Sequence, residues 1–191
     1  MIENFKTEIS KLINLTETEW LVFSKRLITK HYKKGDFFIQ EGDICKYVGL
    51  IDKGFFNIFY QTKGVEHIRG FFFPNEFISN YPSFLLMNES KFNIKALEDS
   101  SVTLIHRDDL VELYKKIPKV EEFSRLVVES LYIEVSDKYE SFFLKTAEDR
   151  YLEFINSKPK FSQKIPQYMI ASYLGITPEA LSRVKKRVSK Q

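Results

Sequence analysis

The stretch Gln167-Tyr-Met-Ile-Ala171-Ser-Tyr-Leu174-Gly175-Ile176-Thr177-Pro178-Glu179-Ala180-Leu181-Ser182-Arg183-Val184-Lys185-Lys186-Arg187 decides how the chain is read. Its spacing predicts two short helices joined by a tight turn at Gly175, a residue that takes positive φ without penalty. Ile170, Ala171 and Leu174 give the first helix an apolar face, and Ala171 is small enough to let the helices cross closely. Thr177 is the predicted N-cap of the second helix. Pro178 follows at its first position, and Glu179 lies near the positive end of its dipole. Leu181, Val184 and Val188 then face inward, while Glu179, Ser182, Arg183 and Lys186 recur on the opposite stripe at i, i+3, i+4 and i+7. Such a stripe is what a recognition helix presents to a major groove. The residues predict a helix-turn-helix with double-stranded DNA as its partner.

An ordinary αα-hairpin with a solvated face shares this spacing, so charge must separate the two readings. Residues 158–191 hold Lys158, Lys160, Lys164, Arg183, Lys185, Lys186, Arg187 and Lys190 against Glu179 alone, a net of +7. The whole chain is +3 (29 minus 26), which leaves −4 on residues 1–157 (21 minus 25). A basic terminal module on a mildly acidic body is a localised footprint for a polyanion. Arg183 can donate two hydrogen bonds to guanine O6 and N7, and Glu179 can accept from a cytosine amine. Glu179 has an alternative role as simple stabilisation of the helix N-terminus. Thr177, Lys185, Lys186, Arg187 and Lys190 are the expected backbone contacts, which position without specifying.

Ahead of this module the pattern changes twice. Phe5, Ile9, Leu12 and Ile13 have helical spacing. Thr16 with Glu19 forms a capping box that should open a second helix running to about Lys30. Residues 31–106 alternate β-rich runs with the turn signals Lys34-Gly35-Asp36, Glu41-Gly42-Asp43, Asp52-Lys53-Gly54, Lys63-Gly64 and Pro74-Asn75, which predicts a β-sandwich or roll. Residues 107–117 read as a helix. A long helix over 119–145 follows, then another over 146–157 and a short strand or loop into the helix-turn-helix. In the long helix Phe123, Val127, Leu131, Val135 and Tyr139 recur every four residues. The stripe serves either to pack the helix on its own β-domain or as a self-pairing seam in a homodimer.

Several function classes fall away. No apolar run approaches the roughly 20 residues that span a bilayer. The N-terminus lacks a signal-peptide grading, so the cytoplasm is the expected location. Cys45 alone excludes an internal disulfide and a cluster held by several cysteines of one chain. There is no phosphate-binding glycine loop, nucleophile elbow or paired-histidine metal spacing. Asp108-Asp109 and Glu121-Glu122 are adjacent on predicted helices and so point apart. No enzyme, metal or cofactor is expected.

A β-roll, a long helix and a C-terminal helix-turn-helix in this order resemble the cyclic-AMP receptor/FNR (Crp/Fnr) superfamily of transcription regulators, over about residues 15–188. The likeness rests on Lys34-Gly35-Asp36…Glu41-Gly42-Asp43, on Asp52-Lys53-Gly54, and on Phe73-Pro74-Asn75-Glu76-Phe77, which looks like the family's Gly-Glu segment. It implies an α+β chain with a cyclic-nucleotide-binding-like β-roll (jelly-roll) in a sensor domain over 1–118. A dimerisation helix over 119–145 and a DNA-binding domain over 146–191 complete it, the last without a C-terminal wing. It also implies a homodimer that reads an inverted repeat, with RNA polymerase as a further partner. Glu179, Ser182 and Arg183 match the family's base-reading positions. The effector pocket would take in Phe73, Asn75, Glu76, Phe77, Ser90, Lys91 and Phe92. The family's phosphate-binding arginine is absent where Ser90-Lys91-Phe92 aligns, and lysine lacks its fork. Cyclic AMP is therefore not the expected effector. A more apolar effector, or a roll already packed shut, fits the phenylalanines better. His31, His67 and His106 are isolated and offer no haem site. The rival to a regulator is a ligand-sensing or protein-interaction β-roll whose basic tail binds polyanions alike.

Overall fold

The computed structural model describes residues 1–188. The chain opens with helices α1 (Ile2–Ser10) and α2 (Glu17–Ser24). The strands are β1 (Leu27–Tyr32), β2 (Phe37–Ile39), β3 (Tyr47–Lys53), β4 (Phe56–Thr62), β5 (Val65–Phe72) and β6 (Phe77–Ile78), then, after α3 (Tyr81–Leu86), β7 (Asn93–Ala96) and β8 (Ser100–His106). The remainder is helical: α4 (Arg107–Lys116), α5 (Pro118–Leu144), α6 (Ala147–Ser157), α7 (Pro159–Ser162), α8 (Gln167–Tyr173) and α9 (Pro178–Val188).

The Thr16–Glu19 box forms as read. The Glu19 amide donates to Thr16 Oγ1 at 3.2 Å and the Thr16 amide to Glu19 Oε2 at 2.7 Å. The helix it opens stops at Ser24, however, not near Lys30. Leu27–Tyr32 instead pairs antiparallel with β8, from Leu27 opposite Ile105 to Tyr32 opposite Ser100. Local helix preference yields there to a cross-strand partner for a run holding Ile28, Thr29 and Tyr32.

Among the described residues the strands form two antiparallel sheets, ordered β1-β8-β3-β6 and β2-β7-β4-β5. Their facing sides bury Ile39, Ile51, Phe56, Ile58, Ile94, Val102 and Leu104, while Leu50 turns to the other side of its sheet, where α1, α2, α4 and the start of α5 close the core with Phe5, Phe23, Leu113 and Val120. Gly54, between β3 and β4, has φ +84°, and a Cβ there would lie 2.0 Å from Ser100 Oγ and 2.7 Å from Ser100 Cα. Only glycine fits that corner.

Alternation along β4 sends Phe56 and Ile58 into the first core and Phe55 and Phe59 to the other side. That other side is covered by the C-terminal helices. Phe55, Phe59, Ile68 and Phe73 share a second core with Tyr151, Phe154, Met169, Ile170, Leu174, Leu181 and Val184. The segment expected as a strand or loop before α8 is the short helix α7, with Pro159 presetting its first turn. Its Phe161 ring packs 5.4 Å from Phe55 and 4.8 Å from Phe73, centroid to centroid. No helix among the described residues is long and apolar enough to cross a membrane.

Candidate nucleic-acid interface

The α8–α9 pair has the geometry that its sequence demands. Met169, Ile170, Ala171 and Leu174 are buried on α8, and Leu181 and Val184 on α9. Gly175 turns the chain at φ +70°. The Gly175 amide donates to Ser172 O at 3.1 Å and the Ile176 amide to Ala171 O at 3.0 Å, so carbonyls left over at the end of α8 are satisfied. Thr177 Oγ1 accepts from the Ala180 amide at 3.2 Å and caps α9. With its apolar side locked in the core, α9 leaves Glu179, Ser182, Arg183 and Lys186 exposed on one outward stripe.

The charged groups on this surface are not all equally available. The Glu179 carboxyl is held below the usual carboxylate range, first by its own backbone amide, then by the Thr177 hydroxyl and Arg183. It is ionised and engaged with the start of its own helix. Lys185 Nζ donates to Gln167 Oε1 at 2.9 Å. Lys185 and Lys186 border a shallow hollow with Gln167, Pro178, Leu181 and Ser182, where the two helices diverge. Arg187 is 2.9 Å from Glu148 and links α9 to α6, with its side chain still 64% exposed. Lys190 lies outside the described residues.

Comparison with known proteins agrees with this layout. Residues 29–117 match the family model of the cyclic nucleotide-binding domain. FixK2 from Bradyrhizobium japonicum superposes with a TM-score of 0.75 at 19% identity, over 86% of this chain and 85% of that one. The c-di-GMP-responsive global regulator CLP from Xanthomonas campestris gives 0.71 at 14% identity, over 92% of both chains. A Crp/Fnr-family transcriptional regulator from Eubacterium rectale gives 0.69 at 20% identity, over 92% of this chain and 84% of its own. The chain has the Crp/Fnr fold. No curated protein matches it in sequence.

Within this Crp/Fnr fold, the residues expected to line one effector pocket are dispersed. Phe73 is buried in the second core against Phe161, whereas Phe77 packs in the first against Phe5 and Phe123 at 5.8 and 5.5 Å. Asn75 holds a positive φ of 68°, and its side chain accepts from Asn4 at 3.1 Å. Glu76 accepts from the Phe73 amide at 2.9 Å and pairs with Lys158, bridging the roll to the helix-turn-helix module. Ser90 is buried, donating to Phe92 O. Phe92 is buried too, beneath Arg69 and beside Tyr60, while Lys91 is exposed. Apart from the exposed Lys91, these residues are engaged by side chains of the roll and of the C-terminal module.

The expected seam divides as well. Phe123 is buried against Phe77, and Val127 packs on the same core, so neither is open to a partner helix. Leu131 is half-buried, whereas Val135 and Tyr139 are 54% and 66% exposed. The reason is geometric. Steps of four residues advance about 40° beyond a full turn each time, so the stripe winds about 160° around the helix from Phe123 to Tyr139. The apolar side that stays exposed takes in Tyr132, Val135, Tyr139, Phe142 and Phe143.

Sequence reasoning missed the junction where roll, long helix and DNA-type module meet. Lys138 of α5 donates to Arg69 O of β5 and lies 3.9 Å from the Tyr173 ring centroid of α8. The Ile68 amide, also of β5, donates to Ser172 Oγ at 2.9 Å. These partners stand tens of residues apart, and no local pattern announces them.

Proposed function

We propose that the chain is a homodimeric transcription regulator that reads an inverted repeat in double-stranded DNA, in the cytoplasm and in concert with RNA polymerase. The observation that carries this is the α9 stripe of Glu179, Ser182, Arg183 and Lys186, exposed while Leu181 and Val184 anchor the helix from behind. Arg183 takes the guanine edge, and Ser182 and Glu179 read beside it once Glu179 releases its local contacts. Lys185 and Lys186 meet phosphates. The exposed Tyr132, Val135, Tyr139 and Phe142 side of α5 supports pairing with a second copy, at spacings that suit a coiled-coil seam. Two such heads read one site when their recognition helices stand about 34–36 Å apart. The reading assigns no catalytic step. It does not include cyclic AMP as effector, since the residues that would hold it are dispersed and no arginine stands at the phosphate position.

The test is selection from a random DNA pool by the purified protein, beside Arg183→Ala. The parent should enrich an inverted repeat. The variant should lose about 1–3 kcal/mol, or roughly 5–150-fold, on that sequence and relax its specificity at one base pair. Equal, salt-sensitive retention of every polyanion by both proteins would replace the regulator with a non-specific binding module.

A further inference from the structure

One side chain joins the end of the long helix to the turn of the helix-turn-helix. Arg150, in the first turn of α6, donates from Nη1 to Lys145 O at 2.7 Å and from Nη2 to Leu174 O at 3.0 Å. Lys145 and Leu174 are the C-caps of α5 and α8. Carbonyls at the end of a helix lack donors within it and carry the negative end of its dipole, so the fork of a guanidinium suits two of them at once. The guanidinium carbon also lies 4.8 Å from the Phe142 ring centroid. That ring rests against the turn itself, since a Cβ on Gly175 would meet Phe142 Cε1 at 3.2 Å.

The rest of the connection is slight. Lys145 and Thr146 alone join α5 to α6, and Lys145 is extended at φ −119° and ψ 146°. The last turns of α5 leave Val135, Tyr139, Phe143 and Leu144 exposed. We propose that Arg150 is a positioning residue for DNA reading: it clamps the end of α5 to the Leu174–Gly175 turn and so sets the half-site spacing that a dimer accepts. The spacing rests on the regulator reading; the clamp stands on geometry. Arg150 acts through the turn and not on a base, because both of its terminal nitrogens are engaged with carbonyls. The recognition helix α9 begins three residues beyond Gly175, and Tyr139 and Phe142 of the seam lie within two turns of Lys145.

The clamp is tested without DNA. Nitroxides at Asp137→Cys on α5 and Ser182→Cys on α9, in chains diluted into unlabelled protein, report the distance within one chain by pulsed electron resonance; Cys45 is buried. The parent should give one narrow distribution and Arg150→Met a broader one. Equal widths would overturn the clamp. If Arg150→Met does not fold, Arg150→Lys keeps the charge and loses the fork. The spacing is tested on DNA carrying two copies of the half-site that the parent selects, with the spacer varied in single steps. Each base pair moves a half-site by about 3.4 Å and turns it by about 35°. The parent should prefer one spacer over its neighbours by about tenfold, the order of one charge-assisted hydrogen bond, and Arg150→Met by only about twofold. Base preference within each half-site should not change. An unchanged spacer preference, or a loss equal at every spacer, leaves Arg150 a structural part only and overturns the proposal. If the parent selects no repeat, the regulator reading fails, and the distance measurement still decides the clamp.

Discussion

Replacing Lys138 with methionine is expected to stabilise the fold near neutral pH and to flatten its dependence on alkali. Burial is the main reason that this ammonium is lowered to about 8, the Arg69 charge adds to it, and Glu134 opposes it. The ordinary value is 10.5, so keeping the amine charged costs about 3 kcal/mol at pH 7, at about 1.4 kcal/mol per unit. The sign follows from proton counting. Below pH 8 the amine is protonated in both the folded and unfolded chains, and the full cost is present. Between pH 8 and 10.5 the unfolded chain binds more protons, so stability rises with pH. The rise should reach about 2 kcal/mol between pH 7.5 and 9.5. Tyr173, raised by burial, acts in the opposite direction only where free tyrosines ionise near pH 10, beyond that window. Methionine keeps the side chain's apolar bulk but gives up the bond to Arg69 O and the ammonium's place over the Tyr173 ring, a loss of about 1–2 kcal/mol. Lys138→Met should therefore gain about 1–2 kcal/mol at pH 7.5, and its curve should not climb. Urea denaturation of both proteins at pH 7.5, 8.5 and 9.5 measures this directly. Parallel curves, or a variant less stable at every pH, would refute the argument that burial governs this lysine.

Two further substitutions probe the corner and the seam. Gly54→Ala places a methyl group on Ser100 at a positive φ and should lower stability by about 2–4 kcal/mol, read as a shift in the urea midpoint. A loss under half a kcal/mol would mean that the β3–β4 corner is not as tight as described. Tyr139→Glu puts a charge on the exposed side of α5 and should yield a folded monomer by mass in solution. A persistent dimer sinks the seam. Leu131 is a poor probe here, because it also lines a small cavity within the first core and a charge there would damage the core.

The parts legible in the sequence were those whose signals are local. Gly175, Thr177, Pro178 and the apolar face of α8 lie within a dozen residues, and each acts on its own neighbours. The turn signals at Gly35, Gly42, Gly54 and Gly64 likewise marked the roll, and all four glycines adopt positive φ. What failed was decided at a distance. The end of α2 depends on β8, some 75 residues on, which recruits Leu27–Tyr32 into a ladder. The strand β6 is two residues long and too short for a pattern, although Asn80 and Pro82 do signal the start of α3. The pairing of Arg187 with Glu148 of α6 likewise joins residues 39 apart. The pairing of Glu76 with Lys158 spans 82 residues and has no local signal either.

The shared second core limits how a signal can pass through this molecule. Phe55, Phe73 and Phe161 pack together across the boundary between roll and C-terminal module, with Phe71 against Phe154 and Tyr173. A buried phenylalanine is stabilised by about 1.5–3 kcal/mol relative to exposure, so swinging the module free of the roll would expose several such rings at once. No small ligand offers that much differential binding at ordinary concentrations. The module therefore moves with the roll, and α5, whose Lys138 bonds the Arg69 carbonyl of β5 and lies over the Tyr173 ring of α8, is tied to both. Its inner side rests on the first core through Phe123 and Val127. Its outer side carries the residues that would set the separation of two reading heads.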